Sequence, residues 1–308
     1  MLKELFAGKS VSYYQVDDLK PDEVKSLHIS ESALRDVSDE NEAARWHFSE
    51  ENQELVMFVD AVVADHDVPS EGAYHTEAVP FIVQFNEHRV LMFARESLEG
   101  LVKDITDMLG KLDEQATPTE ALLESLLVIY QDYEKVLGKL DNLRRHFQKR
   151  FYKKTHGFSG DLDSIATVKN ALLYIDASLE DNEGVIKDWT AHFKEVKWTH
   201  NLEQLKSRLK IELEQADKMS DIITSVINNI SDSYSARNDR NLNWVMQILT
   251  VYSVVLTIPT IVTGFYGQNV KYLPLSMSHY SWLITIIITV ILMIIATIWF
   301  WRHGYFDK

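Results

Sequence analysis

The sequence predicts an α+β membrane protein with an N-terminal cytosolic α/β domain, a long helical stalk or bundle, and two C-terminal transmembrane helices. Three observations predict this fold class. Two long apolar runs stand near the C-terminus, a seven-residue apolar repeat precedes them, and short β-branched and aromatic segments occur in the N-terminal third. The predicted boundaries are 1–112 for the α/β domain and 113–240 for the bundle and stalk.

Short strands are predicted in the N-terminal domain. The segments 54–64, 79–86 and 89–94 are rich in β-branched and aromatic residues, and the tripeptide NEH separates the last two as in a hairpin. Helices are predicted near 21–28, 39–44 and 97–112. The sequence has no Gly-rich phosphate loop, no zinc-type histidine spacing and no nucleophile motif, so it predicts no enzymatic site.

Three long helices, packed as a bundle, are predicted after the α/β domain. The first begins near Thr117, which can cap it, with Pro118 in its first turn, and the second covers about 161–181. The third begins at 199 and carries an apolar residue every seven positions, at Leu202, Leu209, Ala216, Ile223 and Ile230. Because no proline occurs between Pro118 and Pro259, this helix is predicted to continue into the first apolar run as one rod of about 65 residues.

Two transmembrane helices are predicted at the C-terminal end. The apolar core of the first run, 245–265, spans about 31 Å as a helix, which is close to the hydrocarbon thickness of a bilayer. The second run has Trp282 near one end and Trp299 and Trp301 near the other, as in an interfacial aromatic belt. The predicted segments are a pore helix over 241–269, an external loop over 270–280, a second helix over 281–301 and a basic tail over 302–308.

Basic residues flank the two spans and predict their orientation. Arg237 and Arg240 precede the first span and Arg302 and Lys308 follow the second, whereas the connecting loop has only Lys271. The positive-inside rule therefore places both termini in the cytoplasm, with the chain in the cytoplasmic (inner) membrane. We expect the lipid bilayer itself to be one of its partners.

The charge and the cysteine content exclude several classes of function. The net charge is −15, and from Asn241 onward the only acid is Asp307, so the acidic excess lies in the cytosolic part. Such a surface repels the phosphates of nucleic acids and attracts cations. The chain has no cysteine, which excludes a disulfide framework and thiolate metal sites.

A polar stripe runs along the first span. Asn243, Thr250, Thr257 and Gly264 lie seven residues apart, so they share one helix face. Polar groups in hydrocarbon are costly unless they meet one another or water. If several copies of this helix face a common axis, the stripe lines either a packed core or a water-filled pore. Plain small-residue packing between membrane helices is the other interpretation.

The end of the first span carries a motif that identifies a family resemblance. It reads TGFYGQNVKYLP over 263–274, and it follows DRNLNWVMQILT over 239–250 and IPTIVTGFYG over 258–267. These segments, together with the acidic α/β domain, the long helix and the two C-terminal spans, resemble the CorA family of divalent-cation transporters. The family signature Gly-Met-Asn stands here as Gly267, Gln268 and Asn269.

The resemblance implies a function and a set of site residues. It implies a homopentamer that transports hydrated divalent cations, Mg²⁺ with Co²⁺ or Ni²⁺ as further cargo, and that is gated by cytosolic Mg²⁺ and needs no other cofactor. The pore and selectivity residues would be Asn269, Gly267, Gln268, Tyr266, Gly264, Thr257, Thr250 and Asn243, the gate Leu249 and Met246, and the acid of the cytoplasmic funnel Asp232. Candidate ligands for a regulatory ion, chosen from the acidic residues of this sequence, are Asp217, Asp221 and Asp60, with Asp60 expected at a strand end. Solvated surface carboxylates are the other interpretation of each, and the one that the sequence favours.

Three departures from the family pattern leave alternatives open. Gln268 replaces the usual methionine. Zinc, which the ZntB branch of the family transports, is therefore the alternative cargo. Thr257 stands where a bulky apolar gate residue is common, and Leu275 stands where an acid often follows the loop proline. A non-conducting membrane-anchored scaffold is a further alternative, but an anchor would not need Asn243 or Asn269 within its span.

Overall fold

The structure is a computed structural model of the 308-residue chain. It describes residues 2–7, 11–16, 27–30, 33, 43–68, 70–112, 116–153, 159–193, 197–270, 273–274 and 279–306. The chain divides into two compact units, Met1–Ser231 and Asp232–Lys308. The division lies inside one continuous helix. The domain boundaries predicted from the sequence remain predictions.

A six-stranded mixed sheet forms the N-terminal part of the first unit. Its strands, in chain order, are β1 (Leu2–Ala7), β2 (Val11–Val16), β3 (Arg45–Ser49), β4 (Glu54–Ala64), β5 (Tyr74–Gln84) and β6 (Arg89–Ala94). The spatial order is β1-β2-β6-β5-β4-β3, and all neighbours are antiparallel except β2 and β6. The centre of the sheet is the most deeply buried part, because nearly every residue of β4 and β6 is inaccessible to solvent.

The sequence predicted half of this sheet. Strands β4 and β6 have the predicted bounds, and the NEH turn joins β5 to β6. The predicted segment 79–86 contains the buried half of β5, 79–84, but β5 begins at Tyr74 and ends two residues before 86. Strands β1, β2 and β3 were not predicted. Strand β3, with the sequence RWHFS, is half-buried at every position, so it shows neither an apolar run nor a strict alternation.

The helices predicted in this domain had mixed outcomes. The helix predicted over 97–112 is present as a 3₁₀ turn, Glu96–Leu98, followed by α1 (Glu99–Leu109). Residues 43 and 44 are not helical, and the rest of the segment predicted at 39–44 lies outside the described residues. Of the segment predicted at 21–28, only 27 and 28 are described; Leu27 is in 3₁₀-helical conformation and His28 is in a turn.

Three long helices follow the sheet. They are α2 (Pro118–Tyr152), α3 (Ser159–His192) and α4 (His200–Tyr266). The predicted cap is confirmed, because the backbone N–H of Glu120 donates to Thr117 Oγ1 at 3.2 Å. The single rod is also confirmed, since α4 runs for 67 residues and includes Pro259. The predicted end of α3 at 181 was wrong, because buried Val185, Ile186 and Trp189 extend its apolar face.

The seven-residue stripe of α4 is covered by its own chain. Its apolar residues from Leu202 to Ile230 are buried within the single chain. Side-chain hydrogen bonds join α4 to its neighbours there, from Asn201 Nδ2 to Glu120 Oε1 of α2 at 2.9 Å and from Ser220 Oγ to Asp176 of α3. This part of the repeat therefore specifies the bundle of the first unit and does not by itself require a second copy.

A buried polar contact attaches α2 and α3 to the sheet. Asp60 lies in the middle of β4, not at its end as expected, and its backbone N–H donates to Asn182 Oδ1 at 2.8 Å. Asn182 Nδ2 and the Tyr133 hydroxyl both donate to the Asp60 carbonyl oxygen, at 2.9 and 3.1 Å. Asn182 is 0% exposed, so water cannot replace these hydrogen bonds.

Replacing Asn182 with alanine is expected to destabilise the first unit by about 2–4 kcal/mol, because it leaves a buried backbone N–H without its acceptor. Tyr133→Phe should lower the stability of the same unit by only about 1 kcal/mol, because Asn182 still donates to the Asp60 carbonyl. The thermal midpoint of the detergent-solubilised full chain measures both changes. Equal midpoints for the two variants would contradict this account of the contact.

Candidate ion pathway

The second unit contains the end of α4 and a further helix, α5 (Ser281–Arg302). Each of the two helices has a segment that is long and apolar enough to cross a bilayer, and only 6% of each such segment is buried within the chain. The apolar core helix of a soluble protein would be mostly buried. These exposed apolar surfaces therefore require lipid or other copies of the chain around them.

One side of α4 packs against α5. Val251 and Val262 are buried, and Val255 and Ile258 are half-buried. Residues of both helices line a shared apolar groove: Val254, Ile258, Ile261, Val262, Leu292, Ile295, Ala296, Trp299 and Phe300. The side chains of α5 thus cover a defined side of α4 and leave the remainder of its surface uncovered.

The predicted polar stripe lies on the uncovered side. Asn243, Thr250, Thr257 and Gly264 are all exposed in the single chain. Each residue turns a helix by about 100°, so the stripe lies roughly a quarter to a third of a turn from the face that α5 covers. Packing against α5 therefore does not account for the polar residues of this span.

The threonine hydroxyls of the stripe have a defined orientation. Thr250 Oγ1 donates to the carbonyl of Met246 at 2.9 Å, and Thr257 Oγ1 donates to that of Ser253 at 2.7 Å. A hydroxyl that donates its proton to its own helix still has oxygen lone pairs that can accept. The stripe therefore presents neutral oxygen acceptors, which suit the water shell of a cation.

The helix ends before the Gly-Gln-Asn motif. Tyr266 is the last helical residue, and the backbone N–H of Gly267 still donates to the Thr263 carbonyl at 2.8 Å. The helix therefore ends three residues before 269, the boundary that the sequence predicts for the pore segment. Gly267, Gln268 and Asn269 are exposed, so the motif begins the connection between the two spans.

The two glycines of this region have different surroundings. A Cβ on Gly267 would lie 3.1 Å from the Thr263 carbonyl oxygen, whereas a Cβ on Gly264 would meet nothing within 4 Å. The backbone of Gly267 is not in the left-handed region, so glycine is favoured there by the close approach of the helix end. The space beside Gly264 is open in the single chain.

The predicted gate and funnel residues are also uncovered. Met246 and Leu249 are 65% and 64% exposed, although both are apolar. Asp232 is exposed and lies eleven residues before Asn243, which is about three helix turns, so the two share a face. The structure of one chain thus aligns Asp232 with the polar stripe and sets Leu249 to one side of it.

The candidate ligands for a regulatory ion lie in two separate places. Asp217 and Asp221 lie on α4, near Asp176 and Glu183 of α3. Burial is the largest cause that raises the pKa of Asp217, and the charges of Asp221, Glu183 and Asp176 raise it further. Asp60 instead lies beside α3, where burial raises its pKa, the Ser178 hydrogen bond lowers it and the charge of Asp181 raises it. In the part of the chain that the structure describes, no group of three or more His, Asp or Glu residues could hold a metal ion.

Asp176 was missed by the sequence analysis. Ser220 Oγ donates to one of its carboxylate oxygens and Thr224 Oγ1 donates to the other at 3.3 Å. Burial raises the pKa of Asp176, the two hydroxyl hydrogen bonds lower it, and the charge of Asp221 raises it. The pairing of α3 with α4 creates this contact, and no local pattern around Asp176 signals it.

Known proteins resemble this chain in sequence and in fold. A sequence model of the family described as CorA-like Mg2+ transporter protein matches residues 8–302. The cobalt/magnesium transport protein CorA of Methanocaldococcus jannaschii is 25% identical over 179 residues. That alignment covers 58% of this chain and 55% of the relative, so the chain spans about half the length of the curated relative it matches.

Two solved structures share the fold. The complete structure of the CorA magnesium transporter from M. jannaschii has a TM-score of 0.77 at 20% identity, and the match covers 96% of this chain and 92% of that one. The cytoplasmic domain of ZntB from Vibrio parahaemolyticus has a TM-score of 0.58 at 11% identity, over 74% of this chain and 88% of that one. The family comprises transporters, in agreement with the absence of an enzymatic motif. The match over nearly the whole chain shows that this protein belongs to the CorA-like Mg2+ transporter family.

Proposed function

We propose that copies of this chain assemble around α4 as a homopentamer and transport hydrated divalent cations across the inner membrane. Mg²⁺ is the proposed main cargo, with Co²⁺ and Ni²⁺ as further cargo, and both termini are cytoplasmic. One observation carries the proposal: a helix of membrane-spanning length keeps a polar stripe exposed on a side that its own chain does not cover. Meeting other copies around a water-filled axis would remove the cost of those polar groups in lipid.

The chemistry of the stripe suits a hydrated ion. Mg²⁺ sheds its water reluctantly, so a pore that carries it hydrated needs neutral oxygen acceptors that hold the water shell weakly. Asn269 at the end of the span and Thr250 and Thr257 along it are such acceptors. Asp232 would attract cations at the cytoplasmic end, and Leu249 and Met246 would form an apolar constriction that closes the pore by excluding water.

Zinc is the second candidate cargo. Gln268 occupies the position where the family signature has methionine, and a ZntB cytoplasmic domain shares the fold, which supports the fold alone. The uptake of Mg²⁺, Co²⁺, Ni²⁺ and Zn²⁺ by liposomes that contain the purified chain distinguishes Mg²⁺ transport from zinc transport. Mg²⁺ uptake above that of empty liposomes supports the proposal, and Zn²⁺ uptake without Mg²⁺ uptake supports the alternative. A protein that takes up no divalent cation, or that is a monomer by native mass spectrometry, contradicts both.

Cytosolic Mg²⁺ is the proposed regulator. Asp217 and Asp221 are its proposed ligands together with groups from a neighbouring copy, because within the described part of one chain no group of three acids could hold a metal ion. Asp217→Asn should raise the thermal midpoint in Mg²⁺-free buffer by about 2 °C, because it removes repulsion from Asp221, Glu183 and Asp176. Added Mg²⁺ should raise the midpoint of the wild type more than that of the variant. Asp163→Asn, at an exposed acid thirteen residues before Asp176 on α3, is the charge-matched control and should respond to Mg²⁺ as the wild type does.

The same cluster predicts a pH dependence in the absence of Mg²⁺. The folded-state pKa values of Asp217 and Asp176 are raised, so folding disfavours their ionised forms. Above the raised pKa, the two ionised carboxylates lower the stability of the folded chain. This loss of stability disappears as the pH falls through the raised pKa. The wild type should therefore become more stable on mild acidification, and Asp217→Asn should weaken that dependence. A variant with the Mg²⁺ and pH responses of the wild type would remove Asp217 from the regulatory proposal.

A further inference from the structure

The charged residues of α4 within the second unit are separated by helix side. There are four of them, Asp232, Arg237, Asp239 and Arg240. Asp239 lies seven residues after Asp232 and four before Asn243, so it shares a helix face with both. Arg240 is turned from Asp239 by about 100° and Arg237 by about 160°. Both acids therefore lie on the side of the polar stripe, and both bases lie on other sides.

Contacts within the chain do not account for the Asp239 carboxylate. Its side chain is exposed, and within the described residues it makes no hydrogen bond or ion pair. The neighbouring base does not neutralise it, because Arg240 Nε donates to the Ala236 carbonyl of its own helix at 3.2 Å. Aspartate is also a weak helix former in a helix interior. Packing and helix propensity thus leave the presence of this acid unexplained.

The two acids continue the polar stripe in the direction away from the membrane segment. At the standard helix rise, Asp239 stands about 6 Å from Asn243 and about 10 Å from Asp232 along α4. Ala236, which lies between the two acids on this side, is small and exposed. The side of α4 that carries neutral oxygen acceptors from Asn243 onward therefore carries negative charge, without a bulky side chain, before that residue.

We propose that Asp239 is a further residue of the ion pathway, which forms a ring of carboxylates with its counterparts in the other copies at the cytoplasmic end of the pore. The inference rests on the proposed function, because the ring exists only if the stripes of several copies face one axis. Such a ring lowers the energy of a cation that leaves the apolar constriction at Leu249, and the attraction increases with the charge of the ion.

The initial rate of Mg²⁺ uptake by proteoliposomes at two ionic strengths tests the ring. Asp239→Asn changes the size of an exposed side chain little and removes one charge per copy, so native mass spectrometry should show the oligomer of the wild type. At low ionic strength, we expect uptake into a Mg²⁺-free interior to fall on the order of tenfold. The difference from the wild type should shrink in about 1 M salt, where the Debye length is about 3 Å.

A charge-shifted variant provides the matched control. Asn238 is exposed and is turned from Asp239 by about 100° around the helix. Asp239→Asn/Asn238→Asp therefore keeps the net charge and moves the carboxylate away from the side of the stripe. We expect it to lose uptake as Asp239→Asn does, whereas Asn238→Asp alone should transport as the wild type does.

Three results would overturn the inference while the proposed function stands. The first is wild-type uptake by Asp239→Asn at low ionic strength. The second is wild-type uptake by the charge-shifted variant, because the net charge of the surface and not the position of the acid would then matter. The third is a loss of uptake that is equally large at high ionic strength, which would assign Asp239 to assembly. A wild type that takes up no divalent cation contradicts the proposed function itself, and this inference with it.

Discussion

Replacement of Asn269 with alanine is expected to lower Mg²⁺ uptake by proteoliposomes about 10- to 100-fold while the oligomer stays intact. The substitution removes one acceptor per subunit from the proposed mouth. Each hydrogen bond that involves a charged group contributes about 1.5–3 kcal/mol, so a barrier increase of that size is expected when the water shell of the ion loses a partner. The residue lies beyond the end of the helix and is exposed, so the fold has no need of its side chain.

The neighbouring position supplies the matched control. Gln268→Met restores the common family signature and also removes one amide per subunit, so it should preserve or increase Mg²⁺ uptake. Gly267→Val tests the turn itself, because a larger side chain would crowd the Thr263 carbonyl. If the motif is only a tight turn, Asn269→Ala will transport as the wild type does and Gly267→Val alone will lose function through misassembly.

Replacement of Leu249 with asparagine is expected to raise the resting flux on the order of tenfold. Leu249 is apolar and 64% exposed on a helix side that its own chain leaves uncovered, so neighbouring copies would surround it. A ring of leucines excludes water from a narrow pore, and a ring of amides admits it. Uptake measured under conditions that keep the channel closed should therefore increase.

Thr257→Met provides the opposite change. It places a larger apolar side chain at a position of the polar stripe, so it should narrow the pore and reduce uptake. Both variants must retain the oligomeric state of the wild type for the comparison to hold. Unchanged resting flux in Leu249→Asn would assign the constriction to another level of the helix.

The sequence predicted those elements whose pattern is local. The apolar runs, the cap at Thr117 and the absence of proline before Pro259 together predicted α2, α4 and α5 closely. The strands β4 and β6 were predicted because both faces are buried, which makes them nearly continuous apolar runs. The strand β3 was missed because half-burial at every position leaves a mixed composition.

Features that depend on packing between elements were less accessible to prediction. The heptad of α4 indicates a packing face, but only the structure shows that the face is buried within its own chain. The hydrogen bonds of Asp176 join residues 44 and 48 positions apart. The end of α4 at Tyr266 depends on where the backbone leaves the helix, and the polar motif after it has no strong helix-stopping residue other than glycine.

The candidate site also has residues that the sequence predicted and residues that it could not predict. The stripe from Asn243 to Gly264 follows from helical spacing alone, and the structure adds that α5 covers a different side of α4. The proposed regulatory ligands could not be grouped from spacing, because Asp60 and Asp217 lie on different elements of the first unit.

Cysteine accessibility along α4 tests most directly whether the polar stripe lines a water-filled pore. The chain has no cysteine, so Thr257→Cys and Val251→Cys each provide one thiol, on the exposed stripe and on the buried side of the helix respectively. In proteoliposomes, a charged, membrane-impermeant thiol reagent should modify Thr257→Cys and block its Mg²⁺ uptake, and it should leave Val251→Cys active. A Thr257→Cys protein that transports Mg²⁺ and whose thiol stays unmodified would contradict the pore.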